Sequence, residues 1–159
     1  MTYTWVGGGM IEFQHAINQG DMEMKKLPEA AAQSATKAGD LIYLVDGAVT
    51  LCDTTDPALI YGVLMEDCSG TTGNEVLVNR IRTGDAYEMS VDAAGVPGTD
   101  IFIGDKYGVD RTAAGNWEVD ATTSGVYDVV VVDLVNTDTG GRVLVEFMPA
   151  VLQSVIGST

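Results

Sequence analysis

Short runs of β-branched and aromatic residues recur along most of this chain, and each run ends in Gly, Asp, Thr or Asn. Val, Ile, Tyr and Thr favour strands, whereas Gly, Asp and Asn favour the turns between strands. No stretch of 10–15 residues between the runs has a helical pattern, which argues against parallel strands joined by crossover helices. The spacing predicts an all-β fold, either a small antiparallel β-barrel or a β-sandwich.

The first turn in this series is the strongest local signal. Asp46-Gly47 separates Leu41–Val45 from Ala48–Cys52, and both turn residues tolerate the positive φ angles of a type I′ turn. We therefore predict a β-hairpin at this position. The other predicted strands are Leu59–Met65, Glu75–Arg82, Ala86–Val91, Lys106–Asp110, Asn116–Val119, Val126–Val135 and Arg142–Phe147.

The two halves of the strand-rich region resemble each other. Gly39-Asp40 before one strand corresponds to Gly104-Asp105, 65 residues later, and Val76-Leu77-Val78 corresponds to Val143-Leu144-Val145, 67 residues later. An internal duplication would produce this pattern and predicts two sheets or half-barrels related by a pseudo-twofold axis. The alternative is a coincidence among Gly- and Val-rich strands.

Composition divides the 159 residues into three segments. Residues 1–38 keep neither a strand nor a helix period, and we predict an extended N-terminal arm that binds a partner. Residues 39–149 form the predicted β body. Residues 150–159 form a short apolar tail that either adds an edge strand or docks on a neighbour.

The predicted arm carries large apolar side chains that need another surface to bury them. An arm of 38 residues would span up to roughly 125 Å when fully extended, enough to cross a neighbouring subunit. The predicted partner-binding residues are Tyr3, Trp5, Met10, Ile11 and Phe13.

The charge balance limits the classes of molecule that can bind this chain. The chain has 8 basic and 23 acidic residues, a net charge of −15, and residues 39–159 hold 5 of the basic and 19 of the acidic ones. A body with this much negative charge repels phosphate backbones and anionic lipid. We therefore expect no nucleic-acid partner and no membrane partner. The N-terminus has no basic segment typical of a secretory signal.

Two arginines stand out against this acidic background. Arg80 and Arg82 lie two apart in a predicted strand, so both side chains should point to one face. They either pair with acids of the same chain or contact an acidic partner or a second copy, which makes them candidate inter-subunit residues.

A search for catalytic motifs gives no positive result. His15 is the only histidine, and no serine lies in a Gly-x-Ser-x-Gly turn. Cys52 and Cys68 have no metal-site spacing, and two buried thiols are favoured over a disulfide. We therefore predict no catalytic, cofactor-binding or metal-binding residue, and no cofactor.

Three further groups have a plain and a functional interpretation. Glu66-Asp67 and the acids of residues 53–56 are interpreted as solvated loop acids, with a bound cation or a carboxylate hydrolase site as the alternative. Trp117 is interpreted as a packing residue, with a sugar-binding platform as the alternative.

Three segments of the body resemble the capsid decoration (cement) proteins of tailed bacteriophages. These are Gly39-Asp40-Leu41-Ile42-Tyr43-Leu44-Val45-Asp46-Gly47, Tyr61-Gly62-Val63-Leu64 and Ile103-Gly104-Asp105-Lys106-Tyr107-Gly108-Val109. Members of that family repeat such Gly-Asp and Gly-Val strand segments through a small β-barrel or β-sandwich. The resemblance covers roughly residues 39–149 and carries over no functional residue, because the family works by surface shape.

The resemblance implies a non-enzymatic protein that binds the outer surface of a phage head and stabilises the shell. The implied partners are the major capsid protein and further copies of this chain, as a trimer or dimer. The implied location is the outside of the virion, after synthesis in the host cytoplasm. The alternative function is a virion-surface or extracellular β module that binds a glycan or receptor.

Overall fold

The computed structural model describes residues 12–14, 23–122 and 127–153. These residues form an all-β structure, as the sequence predicts. They also include one short 3₁₀ helix, η1, which the sequence did not indicate. The elements are β1 Glu12–Gln14, β2 Glu23–Pro28, β3 Leu41–Val45, β4 Ala48–Leu51, β5 Gly62–Leu64, β6 Glu75–Arg80, β7 Ala86–Val91, β8 Lys106–Arg111, β9 Trp117–Asp120, β10 Val129–Leu134, β11 Arg142–Phe147 and η1 Pro149–Val151.

The second half of the chain forms a closed barrel, which we call the C-terminal barrel. Its strand order is β7-β11-β10-β8-β9, and a parallel pairing of β7 with β9 through Ser90 and Glu118 closes it. β1 pairs antiparallel with the beginning of β7, where Phe13 is opposite Tyr87. β1 and β9 therefore occupy different parts of β7.

The first half forms an antiparallel sheet, the N-terminal sheet, with the order β2-β6-β5-β3-β4. Its two edge strands meet at a single parallel bridge between Glu29 and Val49. If β2 is matched to β7 and β3–β6 to β8–β11, the N-terminal sheet and the C-terminal barrel have the same strand order. Equivalent hydrogen bonds also recur, from the Gly39 N–H to the Leu64 carbonyl (2.7 Å) and from the Gly104 N–H to the Val131 carbonyl (2.8 Å).

This shared order supports an internal duplication over coincidence, because a chance likeness of short segments would not reproduce the order of five strands. The pseudo-twofold relation of the two copies stays a prediction.

The two copies share a core. Ile42, Val49 and Leu64 belong to a cluster of buried apolar side chains within the N-terminal sheet. Leu41, adjacent to Ile42 but on the opposite face, belongs instead to the larger cluster that fills the C-terminal barrel around Trp117. Because successive side chains on a strand alternate between faces, β3 contributes to both clusters.

A buried polar contact also joins the copies. The Asp40 carboxylate accepts hydrogen bonds from Arg111 Nε (2.7 Å) and Nη2 (3.0 Å), from Trp117 Nε1 (2.9 Å) and from the Lys37 backbone N–H (2.8 Å). Asp40 is 1% exposed and Trp117 is fully buried. The charge that Asp40 places in the core therefore has a cation and two further donors around it.

The boundary of the body differs from the prediction at residue 38. β2 pairs with β6 along its full length, from Glu23 opposite Arg80 to Pro28 opposite Glu75. Residues 29–38 are also packed against the sheet, and Glu29 is 1% exposed. An arm over residues 1–38 is therefore wrong for residues 23–38, which belong to the body.

The C-terminal segment docks on the chain's own body. The Ile60 N–H donates to the Val151 carbonyl (2.8 Å), and the Gln153 N–H donates to the Ile60 carbonyl (2.7 Å). The Gln153 side chain also exchanges hydrogen bonds with both backbone groups of Leu44. Of the two alternatives for the tail, the structure shows a strand-like pairing, through a parallel bridge of Leu152 with Ile60 directly after η1. Residues 154–159 lie outside the described residues.

The predicted hairpin is confirmed. β3 and β4 pair from Ile42 opposite Leu51 to Val45 opposite Ala48. The turn residues Asp46 and Gly47 have φ angles of 51° and 80°, as a type I′ turn requires.

Gly47→Val is expected to lower the free energy of unfolding by about 1–2 kcal/mol, because a branched Cβ resists positive φ. A Cβ at this position would meet no atom within 4 Å, so the loss would be conformational and not steric. Urea denaturation measures it, with Asp46→Asn as the control, since Asn tolerates the left-handed region. Equal stability of the Val variant and the parent would contradict the turn assignment.

Candidate protein-interaction surface

Exposed apolar side chains are concentrated on the C-terminal barrel. Seven large apolar side chains of the described residues are at least 36% exposed, and five of these belong to residues 102–135. Four of the five lie on neighbouring segments and form what we call the apolar patch. Its members are Phe102 (46%), Ile103 (58%), Tyr127 (44%) and Val132 (36%).

Local structure explains why these side chains are exposed. Hydrogen bonds from the Gly104 N–H to the Val131 carbonyl and from the Val131 N–H to the Asp105 carbonyl hold the segment before β8 against β10. The register between β10 and β11 shifts between Val131 and Asp133. Val131 is buried, and the residue at this β-bulge, Val132, faces solvent.

Tyr107 fixes the segment that carries Phe102. Its hydroxyl accepts a hydrogen bond from the Phe102 N–H (3.0 Å) and donates to the Asp100 carbonyl (3.5 Å). Burial raises the pKa of Tyr107, so the hydroxyl stays a donor near neutral pH. An open cavity of about 350 Å³ lies beside the patch and is lined by Gly104, Asp105, Lys106, Tyr107 and Tyr127.

The surroundings of the patch are charged. Asp100, Asp105, Lys106 and Asp133 are all exposed on the segments that carry the patch or on the residues next to it. An apolar centre with a polar rim is the usual composition of a protein-protein interface.

The internal duplication offers a comparison within the molecule. In the second copy, the Asp128 N–H donates to the Tyr107 carbonyl. In the first copy, the equivalent bond runs from the Tyr61 N–H to the Ile42 carbonyl. Tyr127 and Ile60, the residues just before these two donors, are therefore equivalent. Ile60 is fully buried in the cluster that fills the C-terminal barrel, and its backbone pairs with residues 151–153. Tyr127 is 44% exposed. At this one position, the first copy is buried and paired with the chain's own C-terminal segment, and the second copy leaves Tyr127 open.

The predicted arm residues stand apart from this surface. Tyr3, Trp5, Met10 and Ile11 lie outside the described residues. Phe13 is described by its backbone alone, which pairs with Tyr87 in β1. The pairing places residues 12–14 on the chain's own barrel, and residues 1–11 precede this strand. Eleven residues span at most about 40 Å, far less than the roughly 125 Å expected for the full arm.

The candidate inter-subunit arginines are paired within the chain. Arg80 Nη1 lies 3.2 Å from a Glu23 oxygen, and Arg82 Nε lies 3.1 Å from an Asp85 oxygen. Of the two alternatives in the sequence, the structure shows pairing with acids of the same chain. A contact of either arginine with a second copy stays a prediction.

The other candidates have structural roles. Glu66 accepts a hydrogen bond from the Leu77 N–H and Asp67 one from the Ala38 N–H, both at 2.9 Å. Trp117 is fully buried, so it is a packing residue and not a sugar-binding platform. Cys52 and Cys68 are free and buried, as predicted. Burial raises the pKa of Cys68 to about 11, with further increases from acids such as Glu29.

Sequence reasoning noted Asp56 among the loop acids of residues 53–56 but missed the group of four carboxyl groups where the two copies meet, the acidic cluster of Asp56, Asp110, Asp120 and Asp128. The Asp56 N–H donates to the Val109 carbonyl, and Asp128 Oδ2 accepts from the Val109 N–H, both at 3.0 Å. Asp110 and Asp120 share a side-chain hydrogen bond. Asp128 is fully buried. These residues come from four separate segments, so no sequence spacing could have indicated the cluster.

Burial weakens the acidity of this cluster. It raises the pKa of Asp128 to about 7, with a smaller increase from the charges of Asp56 and Asp110. It also raises the pKa of Asp110 to about 6, and the neighbouring Asp120 adds to the increase. One oxygen each of Asp56, Asp110 and Asp128 is buried without a hydrogen-bond partner in the described part of the chain.

Comparison with known proteins finds no protein similar to this chain. The chain matches no family model, no curated protein and no solved structure. Over residues 12–14, 23–122 and 127–153, no helix is long and apolar enough to cross a membrane. Within the same residues, no three His, Cys, Asp or Glu side chains are arranged to hold a metal ion.

Proposed function

We propose that this protein is a non-enzymatic decoration protein that binds the outside of a bacteriophage head and stabilises the shell. The observation that carries the proposal is the apolar patch on the second copy, where Tyr127 is exposed and its equivalent in the first copy, Ile60, is buried. Phe102 and Ile103 are each about half exposed. The acidic charge of the body favours a protein surface over nucleic acid or lipid as the occupant.

The proposed occupant is the major capsid protein. Full burial of a side chain such as Phe or Ile contributes about 1.5–3 kcal/mol, so burying the exposed half of each patch residue contributes about 1 kcal/mol. Four such residues give a modest affinity once the cost of association is subtracted. Repetition over a symmetric shell, and assembly of the protein as a trimer or dimer, would raise the avidity. The body would then lie on the virion surface, away from packaged DNA.

The predicted anchors in residues 1–11 have a supporting role in this proposal. The three residues of β1 pair with β7. Residues 1–11, which precede β1, span at most about 40 Å when fully extended. Tyr3, Trp5, Met10 and Ile11 would bind the capsid protein next to the body and not across a neighbouring subunit.

The test is co-sedimentation with heads of the encoding phage from which the protein has been removed. Replacing both Phe102 and Ile103 by Asp is expected to weaken attachment at least tenfold, because charge replaces the apolar centre of the interface. The melting temperature should change little, since both side chains are exposed. Val45→Asp is the matched control, because Val45 is 43% exposed on the N-terminal sheet.

The outcomes of this assay distinguish the apolar patch from residues 1–11 as the surface that binds the head. Attachment of the double variant at the wild-type level would exclude the apolar patch as the binding surface. Deleting residues 1–11 tests the anchors in the same assay. Failure of the unmodified chain to bind stripped heads would overturn the proposed function.

A further inference from the structure

The two copies meet at a short backbone pairing that lies within the acidic cluster. The loop between β4 and β5 pairs antiparallel with the end of β8, at Thr55 opposite Asp110. Two hydrogen bonds hold it, from the Asp56 N–H to the Val109 carbonyl (3.0 Å) and from the Arg111 N–H to the Thr54 carbonyl (2.7 Å). We call this pairing the junction.

Every element packed around the junction brings acidic groups to it. The single cation among these groups, Arg111, has its guanidinium bound to Asp40 and to the Ala35 carbonyl, so it does not neutralise the cluster. The titratable and charged groups are Asp53 and Asp56 in the loop, Cys52 before it, Asp110 and Arg111 on β8, Glu118 and Asp120 on β9, Asp128 before β10, and Asp40.

Four carboxylates could not all remain ionised here without strong repulsion. Asp128 is fully buried, and one of its oxygens has no hydrogen-bond partner among the described residues. A proton shared between neighbouring carboxyl groups removes charge and supplies a donor for a lone oxygen. Asp110 and Asp120 already form such a side-chain hydrogen bond.

We propose that the junction is a proton-operated latch: the acidic cluster holds protons while the loop is paired with β8, and losing these protons releases the loop. The proposal does not depend on the proposed function, because it concerns the contact between the two copies alone.

The direction of the pH dependence follows from linkage. The folded pKa values of Asp110 and Asp128, about 6 and about 7, lie above the ordinary Asp value. The folded state therefore binds these protons more tightly than the unfolded state. Their stabilising contribution is complete below about pH 4 and is lost as the pH rises through about 6 and then about 7. The latch should be closed at about pH 5 and weakened at about pH 8.

Amide hydrogen exchange on the full chain tests the latch. Between about pH 5 and about pH 8, the protection of the Asp56 and Arg111 amides, corrected for intrinsic exchange rates, is expected to fall at least about tenfold. Amides of the β7–β11 ladder should keep their protection. Equal protection of the junction amides at both pH values would overturn the proposal.

Two variants identify the groups responsible. Asp110→Asn combined with Asp128→Asn should keep the junction protected at about pH 8, because the charges are absent at every pH. If the double variant does not fold, Asp110→Asn alone should reduce the pH dependence, since Asp110 is only partly buried. Asp138→Asn removes one exposed charge elsewhere and should retain the wild-type pH dependence.

Two results would contradict the proposal that protons bound to the acidic cluster hold the loop on β8. Loss of protection in the Asn variants as large as in the parent would place the pH dependence elsewhere. Restoration of protection by Ca²⁺ in the parent at about pH 8 would assign the cluster to a cation instead.

Discussion

Asp40→Ala is expected to lower the free energy of unfolding by about 3–5 kcal/mol, the largest effect of any single substitution considered for this chain. Asp40 is 1% exposed and bonds Arg111, Trp117 Nε1 and the Lys37 N–H. Removing the carboxylate leaves a largely buried guanidinium and a buried indole N–H unpaired, and both lose solvation without compensation. Urea denaturation followed by Trp fluorescence measures the change.

The duplication supplies the control for this experiment. Asp105 occupies the equivalent position in the second copy but is exposed. Asp105→Ala should change the stability by less than about 0.5 kcal/mol. Similar losses for the two variants would mean that burial of Asp40 does not decide its contribution.

Gly62→Ala is expected to destabilise the N-terminal sheet by about 2–3 kcal/mol, toward the upper end of the range for overpacking in a core. A Cβ at Gly62 would lie 2.3 Å from the Asn79 carbonyl oxygen and 3.0 Å from Val78 Cγ1. The clash is with the backbone of the paired strand β6, so no side-chain rotation relieves it. The strands would have to separate and would lose hydrogen bonds of the ladder.

Chemical denaturation measures the total effect of Gly62→Ala, and amide exchange should show the loss of protection concentrated in β5 and β6. Glu75→Ala, at an exposed position on β6, controls for substitution in the same pair of strands and should be close to neutral. A Gly62→Ala variant as stable as the parent would show that β5 and β6 are further apart than described.

Most of the strands were predictable because they bury one face and are separated by strong turn formers. The bounds of β3, β7 and β11 agree with the predicted ones. The duplication was also visible in sequence. β2 was missed because it is an edge strand, and its Met24, Lys25 and Lys26 are all exposed, which removes the alternation that marks a half-buried strand.

The site was less predictable than the fold. Phe102 and Ile103 read as ordinary apolar residues, since exposure depends on which segments pack against them. Glu29 shows the opposite case, a charged residue buried at 1% exposure. Burial raises its pKa, but hydrogen bonds from Asn74, Ser69 and Gly70 outweigh this and lower the pKa overall. Such donors come together only after residues 40 positions apart are brought into contact.

The docking of Gln153 makes one copy depend on the other. Leu44 of the N-terminal sheet finds its side-chain hydrogen-bond partner in Gln153, 109 positions later in the chain. Ile60 likewise pairs with the backbone of Val151 and Gln153. The first copy therefore completes its backbone pairing with residues that follow the second copy, and a chain shortened before Val151 would leave these groups without their partners.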